Sequence, residues 1–336
     1  VFWKEIRYLI LSKKIKVLDI YYALIKVAIL LRYSKYLRQA VEDIKDNIII
    51  YSYWNDISYY AACLLKKKGL VDKVISRAHG FDLYEERQPN NYMPLKRQFR
   101  YDADKIFLLS DRALGYFKNK YNYSFNKLEV ARLGVVLPKQ CPEYYIVNNV
   151  LVILSLSYCV KIKRIDKIMN AINTFSIKHN IKVNWVHIGA GELLDELKQE
   201  AFTLAKDNKN FKADFLGQLS NSVVHNWLLK NSVDVFINSS ESEGVPVSIM
   251  EAMSYGIPAI APDIGGISDL VNEYNGFLMS SKADISEIVI GLEKILFSKD
   301  IMLYRKNARI TVEDKYNSGK NYNEFIHKVE ELALNE

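Results

Sequence analysis

The chain contains 336 residues, of which 49% are hydrophobic and 25% are charged, and its formal net charge is +7. This length exceeds one ordinary hydrophobic core and predicts two domains of roughly 150 residues each. The composition is that of a folded protein and excludes a disordered chain. Its three cysteines are scattered without CxxC or metal-ligand spacing, so we expect free thiols in a reducing cytoplasm.

Basic charge is concentrated in residues 1–50, which carry ten Lys or Arg against five Asp or Glu. A nucleic-acid-binding domain usually has a strongly basic face with interleaved aromatic residues. The nearly neutral remainder of the chain does not provide such a face, so no nucleic-acid partner is predicted.

An apolar stretch runs from Lys13 to Arg38 within this basic segment. Asp19 and Lys26 interrupt it, so it falls short of the roughly 18 to 20 apolar residues that a bilayer span needs. Two interpretations stay open: a buried helix of the first domain with solvated basic ends, or a helix face that contacts an anionic membrane surface. The second interpretation places a cytoplasmic protein at the inner face of the membrane.

Strand and helix patterns alternate along the rest of the chain. Short apolar runs predict strands at residues 47–54, 73–80, 104–110, 150–157, 182–191, 212–217, 233–240 and 257–262. Helical patterns lie at residues 56–69, 111–121, 164–179, 222–231, 246–256 and 322–334. The alternation predicts two α/β domains with doubly wound parallel sheets that face each other across a cleft, and a proline-containing linker at Arg132–Asn149 predicts a boundary near residue 145.

Two carboxylates flank the start of one predicted helix. In "ESEGVPVSIMEAMSYGIPAIAP", Glu243 lies in the loop after a strand and Glu251 lies inside the helix that Pro246 opens. The free backbone N–H groups at such a helix start attract phosphate. Carboxylates accept hydrogen bonds from sugar hydroxyls, so the pattern favours a ligand with both phosphates and hydroxyl groups.

This stretch, followed by "GGISDLV" and "NGFLM", resembles the donor-site signature of the family 4 retaining glycosyltransferases. Members of that family are two-domain enzymes of the GT-B fold that use a nucleotide-diphosphate sugar. The segments "YSYW" and "SRAHGFDLYEE" resemble the bacterial members that build capsule, exopolysaccharide or O-antigen on a lipid carrier. The resemblance implies an acceptor-side domain at residues 1–145, a nucleotide-sugar-binding domain at residues 146–316 and a carboxyl-terminal helix at residues 317–336.

The resemblance also implies roles for the residues around the two carboxylates. Glu251 would bind the ribose hydroxyls and Glu243 would face the donor sugar. The turn that follows Glu243 would hold the diphosphate, together with Lys163. Its implied donor-binding residues are Gly244, Val245, Pro246 and Val247.

The resemblance implies further donor contacts from two loops, and the chain differs from the family pattern at one position. Gly189 and Gly191 match a glycine turn beneath the nucleotide, while Gln218 and Leu219 would approach the base. Many family members have an arginine where this chain has Tyr158. A leaving diphosphate needs fixed positive charge, so Lys163 and the helix start must carry more of that role, or Lys161 or Arg164 must substitute.

His79 follows a predicted strand, with Gly80 and Asp82 in the loop after it. The resemblance implies that His79 contacts the donor sugar near its anomeric carbon and that Gly80 and Asp82 contact acceptor or orient His79. The alternative is a loop histidine bonded to backbone. His187, among apolar residues in mid-strand, is predicted to be a hydrogen-bonded core histidine.

No metal or other cofactor is predicted. The triplet Asp102–Asp104 matches a DxD metal motif, but it precedes a strand and so lies at the amino edge of the sheet, opposite the predicted ligand site. We interpret it as structural and expect metal-independent transfer. The expected partners are a UDP- or GDP-sugar donor and a saccharide or lipid-linked saccharide acceptor.

Two alternatives to a transferase stay open. A sugar-nucleotide epimerase of similar fold would need an added acid/base pair, and a non-catalytic subunit would bind a nucleotide sugar without turning it over. Family members carry a glycine-rich turn after their first strand, and nothing before Tyr51 resembles it. We therefore expect an incomplete first domain.

Overall fold

The computed structural model describes residues 1–12, 16–123, 126–146 and 148–334. The chain divides into two compact units. The first unit comprises Val1–Arg132 and Glu324–Glu336, and the second comprises Leu133–Asn323. The division between Arg132 and Leu133 lies at the amino-terminal end of the predicted linker, before the boundary predicted near residue 145. Val147 of that linker lies outside the described residues.

The first unit contains a parallel sheet of four strands within the described residues, in the order β1-β2-β3-β4. The strands are β1 (Ile49–Ser52), β2 (Lys73–Ala78), β3 (Lys105–Leu108) and β4 (Leu128–Val130). The helices are α1 (Phe2–Leu11), α2 (Val17–Val41), α3 (Ile57–Lys66), α4 (Gly80–Leu83), α5 (Lys96–Phe99) and α6 (Asp111–Tyr121). The core of this unit is rich in buried aromatic rings, including Tyr59, Tyr60, Phe99, Phe117 and Tyr121.

The predicted caps and strand ends position the loops that follow β1 and β2. The Asp56 carboxylate accepts the Ser58 N–H at 3.1 Å and caps α3, as the sequence predicts. β1 and β2 pair in parallel register, with Tyr51 opposite Ile75. The loops after both strands therefore emerge at the same edge of the sheet.

Helix α2 buries one face and exposes another. Ala23, Val27 and Leu30 are buried. The other face exposes apolar and basic side chains together, namely Leu18, Tyr21, Leu24, Leu31, Arg32, Lys35, Tyr36 and Arg38. Lys13–Ile15, part of the predicted apolar stretch, lie outside the described residues. Over the described chain, none of the helices combines the length and the apolar character needed to cross a bilayer.

The second unit contains a parallel sheet of six strands within the described residues, in the order β10-β9-β8-β5-β6-β7. The strands are β5 (Val150–Leu156), β6 (Lys182–Ile188), β7 (Phe211–Phe215), β8 (Val235–Ile237), β9 (Ala259–Pro262) and β10 (Gly276–Met279). The helices are α7 (Ile165–His179), α8 (Leu194–Asp207), α9 (Asn221–Lys230), α10 (Val247–Ser254), α11 (Ile285–Leu296), α12 (Ile301–Lys315) and α13 (Ser318–Leu334), of which α13 continues into the segment assigned to the first unit.

The strand order of this sheet reverses at one place. The chain runs outward from β5 through β6 to β7, and then returns to place β8 on the other side of β5. Ile153 pairs with Val235 and Leu154 with Phe236. The loops that leave β5 and β8 are therefore neighbours, at the position where open parallel sheets bind their ligands.

The sequence predicts most of this architecture. Each of the eight predicted strands is present, although the observed strands are shorter than the apolar runs. The short strands β4 and β10 and the helices α8, α11 and α12 were not predicted from the sequence. β4 has three residues and β10 begins with glycine, so neither gives a strong apolar run.

Candidate functional site

The reversal between β5 and β8 brings Lys163 and Glu243 together. Lys163 ends a short 3₁₀ helix (Lys161–Lys163) after β5, and Glu243 lies in the loop between β8 and α10. The Lys163 Nζ atom lies 2.6 Å from Glu243 Oε1, and the Asn238 amide donates to the same oxygen at 3.3 Å. The two predicted residues, 80 positions apart in the chain, thus form an ion pair at the reversal.

Backbone contacts hold the two loops against each other. The Ser239 hydroxyl lies 2.9 Å from the carbonyl oxygen of Lys163 and 2.8 Å from that of Arg164. The Glu241 N–H donates to the Ile162 carbonyl at 2.9 Å. These bonds fix the backbone position of Lys163 relative to the loop that carries Glu243. The ion pair therefore does not depend on the Lys163 and Glu243 side chains alone.

A close backbone approach holds the Glu243 loop from the other side. The Gly266 N–H donates to the Gly244 carbonyl at 2.6 Å. Gly265 has a φ of +54°, and a Cβ atom placed there would lie 2.0 Å from the Glu243 carbonyl oxygen. Only glycine fits this position without moving the loop.

Helix α10 begins at Val247 with Pro246 as its N-cap, and no side chain caps it. The N–H groups of its first turn have no carbonyl four residues earlier within the helix, so they point out of its start. The helix dipole adds partial positive charge at the same place. Gly244, Val245 and Pro246, for which anion binding is predicted, lead into this start.

Glu251 lies one turn further along α10 and is 7% exposed. The Asn221 amide of α9 donates to Glu251 Oε1 at 2.6 Å. Burial raises the pKa of Glu251, and the bond from Asn221 opposes that rise. An open groove of about 780 Å³ passes beside these residues, and its lining includes Asn221, His225 and Tyr255.

The predicted glycine turn lies next to β6. Gly189 has a φ of +146°, and a Cβ atom there would lie 1.9 Å from the Ser157 carbonyl oxygen in the loop after β5. At Gly191 a Cβ would lie 2.5 Å from the Cys159 carbonyl oxygen. Gln218 is exposed and Leu219 half-buried in the loop after β7, whose Gly217 carbonyl accepts the Gly189 N–H at 2.8 Å.

Tyr158 stands where many family members have an arginine, and Lys161 and Arg164 are the two predicted substitutes for it. These three side chains have different surroundings. Tyr158 and Lys161 are exposed. The Arg164 guanidinium is bound by Glu241 at 2.7 Å and by Asp166 at 3.1 Å, and these bonds, first that from Asp166, raise its pKa. Arg164 is thus engaged by two carboxylates, whereas Lys163 contacts Glu243.

His79 lies in the first unit, at the end of β2. Its ring packs against Tyr53 and Trp54, with ring centroids 4.5 and 4.4 Å away, and the centroids of those two rings lie 5.6 Å apart, so the three rings form one cluster. The ring lies at the N-cap of α4 and faces the Asp82 backbone N–H in a capping box, although neither ring nitrogen makes a hydrogen bond of ordinary geometry within the described residues. Burial, followed by the nearby charge of Arg77, lowers the pKa of His79 to about 4, and the ring is neutral at pH 7.

The residues after His79 form a tight turn. Gly80 begins α4, and the Asp82 carboxylate accepts the His79 backbone N–H. Asp82 is 4% exposed, and burial raises its pKa. In this structure Asp82 therefore fixes the backbone of the His79 turn.

The two sequence features interpreted as structural each have partners within the fold. Asp104 forms an ion pair with Lys66 and accepts the Val74 N–H, and Asp102 pairs with Lys67 at 2.5 Å. His187 is fully buried and lies 2.8 Å from the Ser155 hydroxyl. Across residues 1–12, 16–123, 126–146 and 148–334, no group of three or more His, Cys, Asp or Glu side chains could hold a metal ion.

Sequence reasoning missed the amides and the hydroxyl that hold the site. Asn221, Asn238 and Ser239 each contact a predicted residue or its backbone. Asn238 and Ser239 directly follow β8, so their position at a carboxyl strand end was an available signal. Asn221 gave none, because its contact with Glu251 spans 30 positions.

Gly265→Ala should displace the Glu243 loop, because its Cβ would overlap the backbone of Glu243. Gly217→Ala is the matched control, since Gly217 has a φ of +67° but nothing within 4 Å of its Cβ position. We expect Gly217→Ala to lower the free energy of unfolding by about 1 to 2 kcal/mol, because of its left-handed backbone alone. Gly265→Ala should lower it by clearly more. Urea unfolding measures both, and equal losses would contradict the close approach.

Comparison with known families identifies the family to which the second unit belongs. A family model described as glycosyl transferases group 1 matches residues 142–311, half of the chain. An Escherichia coli relative, the UDP-Gal:alpha-D-GlcNAc-diphosphoundecaprenol alpha-1,3-galactosyltransferase, is 33% identical over 45% of this chain and 36% of its own length. The Escherichia coli O-antigen biosynthesis glycosyltransferase WbnH is 34% identical over 36% of this chain and 31% of its own length. The matched segments thus cover about a third of the length of these curated relatives.

Solved structures show the fold. The lipopolysaccharide outer core galactosyltransferase WaaB matches with a TM-score of 0.70 and 19% identity, over 89% of this chain and 80% of that one. Anabaena HepE in complex with UDP matches with a TM-score of 0.68 and 16% identity, over 89% and 82% of the two chains. The chain has the GT-B fold, with two Rossmann-like parallel sheets. It belongs to the group 1 glycosyl transferases.

Proposed function

We propose that this protein transfers a sugar from a nucleotide-diphosphate sugar to a saccharide acceptor with retention of configuration, as the family 4 enzymes do. The observation that carries the proposal is the Lys163–Glu243 pair at the open start of α10, one turn from buried Glu251. A cation, free N–H groups and two carboxylates within one loop and helix suit a ligand that carries both phosphates and hydroxyls.

The donor is a UDP- or GDP-sugar in this proposal. Glu251 accepts hydrogen bonds from the ribose hydroxyls, and the backbone N–H groups of Gly244, Val245 and Val247 donate to the diphosphate, while Pro246 shapes the turn. Gln218 and Leu219 approach the base, above the turn of Gly189 and Gly191. The named relative from Escherichia coli uses UDP-Gal and the Anabaena structure holds UDP, which supports a nucleotide sugar in general and UDP in particular.

The chemistry is that of a leaving diphosphate. As the bond from the anomeric carbon to the diphosphate breaks, negative charge grows on the departing oxygen, and the Lys163 ammonium and the α10 N–H groups stabilise it. The acceptor hydroxyl attacks from the same face, and the departing phosphate oxygen takes its proton. Glu243 contacts the donor sugar, and neutral His79 forms a hydrogen bond to a sugar hydroxyl. No step needs a metal ion in this scheme, so activity should persist in a chelator such as EDTA.

The acceptor is a lipid-linked saccharide in this proposal, as in bacterial surface polysaccharide synthesis. The named Escherichia coli relative acts on a sugar carried by diphosphoundecaprenol, which supports such an acceptor. The exposed face of α2, where leucine and tyrosine side chains alternate with arginine and lysine, supports peripheral contact with an anionic membrane.

The experiment that tests the function is a screen of nucleotide sugars for binding, hydrolysis and transfer, with Glu251→Ala as the binding-defective control. We expect one donor to be bound and slowly hydrolysed, and Glu251→Ala to weaken its binding. Binding without hydrolysis or transfer would contradict a transferase and favour a non-catalytic subunit. An isomerised nucleotide sugar would favour an epimerase.

Lys163→Ala should lower turnover by roughly 100-fold, because it removes one fixed donor to the departing diphosphate. The matched control is Lys178→Ala, at the far end of α7, the helix that follows Lys163; this lysine pairs with Glu293 at 2.6 Å. Steady-state kinetics with the donor found in the screen measure both variants. Unchanged turnover in Lys163→Ala would remove this role.

Charge reversal on α2 should abolish membrane binding. The double variant Arg32→Glu with Lys35→Glu replaces two exposed cations by anions on the apolar face. The double variant Lys206→Glu with Lys209→Glu makes the same change of charge at exposed positions of the second unit. In flotation with vesicles rich in anionic lipid, wild type and control should float and the α2 variant should not. Equal flotation of all three would contradict the membrane surface.

A further inference from the structure

A buried lysine ties together the loops that carry His79 and its aromatic neighbours. Lys96 opens α5 and is 1% exposed. Its ammonium donates to the backbone oxygen of Asn55 at 2.9 Å, to the Asn55 side-chain oxygen, and to the backbone oxygen of Asp82 at 2.6 Å. A single fully buried cation therefore connects the loop after β1 with the turn after β2.

The two residues that Lys96 contacts hold the backbone on either side of His79. The Asp82 carboxylate accepts the backbone N–H of His79 with one oxygen and the backbone N–H of Asn55 with the other. The Asn55 amide donates to the Ser76 hydroxyl in β2 at 2.9 Å. The ends of β1 and β2 are thus joined twice, through Asp82 and through Asn55, and Lys96 bonds to both residues.

This network sets the surroundings of the His79 ring. Tyr53 and Trp54, which pack on the ring, directly precede Asn55. Asp82 fixes the backbone of His79 itself. The position of the imidazole against the two aromatic rings therefore depends on contacts that converge on the Lys96 ammonium, although Lys96 acts on His79 only through Asn55 and Asp82.

The charges in this region leave Lys96 as the principal cation facing Asp82. Burial raises the pKa of Asp82, and the positive charge of Lys96 opposes this rise more than the two backbone N–H groups do, while Asp56 adds to it. Burial lowers the pKa of Lys96, and Asp82, Asp56 and Glu85 oppose that shift. The rings of Phe117 and Tyr121 on α6 lie 5.8 and 5.9 Å from the ammonium.

We propose that Lys96 is a positioning residue for the transfer reaction: its buried ammonium holds the loops after β1 and β2 together so that His79 lies at its working position. This inference rests on the proposed function for the role of His79. The proposed nucleotide contacts lie in the second unit and do not involve Lys96. Replacement of Lys96 should therefore lower turnover without weakening nucleotide affinity.

The test compares Lys96→Met with wild type at saturating donor, with Lys66→Met as the matched control in the same unit. Displacement of a reacting group by about 1 Å costs on the order of 100-fold in rate, so kcat should fall by that order while the Kd of the nucleotide changes less than about twofold. Lys66→Met, which removes the surface pair with Asp104, should leave kcat unchanged.

The pH profile separates this role from a merely structural one. Without the nearby cation the pKa of Asp82 should rise further, so the acid limb of kcat should move up by roughly one to three pH units in Lys96→Met. Its residual activity should therefore recover in part as the pH is raised. A lower kcat with an unmoved acid limb, or a kcat within threefold of wild type, would overturn the proposal.

Two further measurements cover a variant that fails to fold and a failure of the proposed function. If Lys96→Met does not fold, Ser76→Ala removes the hydroxyl that accepts from the Asn55 amide at 2.9 Å and donates to the Trp54 carbonyl at 3.4 Å, both in the loop after β1. The kcat should then fall several-fold at unchanged nucleotide Kd; unchanged kcat would overturn the proposal. If wild type transfers no sugar, the proposed function fails, and NMR then tests on its own whether Lys96 positions His79. The His79 Cε1–H signal, identified by its absence in His79→Gln, should move in Lys96→Met or Ser76→Ala; a stationary signal would overturn the proposal.

Discussion

The candidate donor site depends on one topological constraint, the reversal of strand order between β5 and β8. Because β8 returns to the side of β5, the loops that carry Lys163 and Glu243 leave the sheet next to each other. In a sheet with sequential strand order these loops would lie strands apart. The hydrogen bonds of Ser239 and the close approach at Gly265 then fix the loops at the spacing that the ion pair needs.

In the first unit, buried polar groups rather than strand order position the loops that carry the candidate residues. Its strands follow one another in order, so nothing in the sheet forces the loops after β1 and β2 into one geometry. Lys96, Asn55 and Asp82 do so through hydrogen bonds in a site from which water is nearly excluded. A buried network of this kind is costly unless every group has a partner, and it then specifies a single arrangement.

The sequence predicted the elements with strong periodicity and the residues next to strand ends. The eight apolar runs, the Asp56 cap and the loop position of Glu243 follow from local pattern, and the resemblance added Lys163. Long-range partners could not be predicted, because Lys96 lies 41 positions from Asn55 and Asn221 lies 30 from Glu251. The packing of His79 against Tyr53 and Trp54 likewise depends on the ends of two strands meeting, which neither segment alone predicts.

Hydrogen–deuterium exchange of the full chain with and without UDP or GDP tests the central claim most directly. If a nucleotide diphosphate binds at the reversal, peptides covering residues 157–164 and 241–251 should gain protection, with the largest change at the start of α10. Protection confined to other segments, such as the α7–α11 surface around Lys178, or no protection at nucleotide concentrations that saturate binding, would contradict the account.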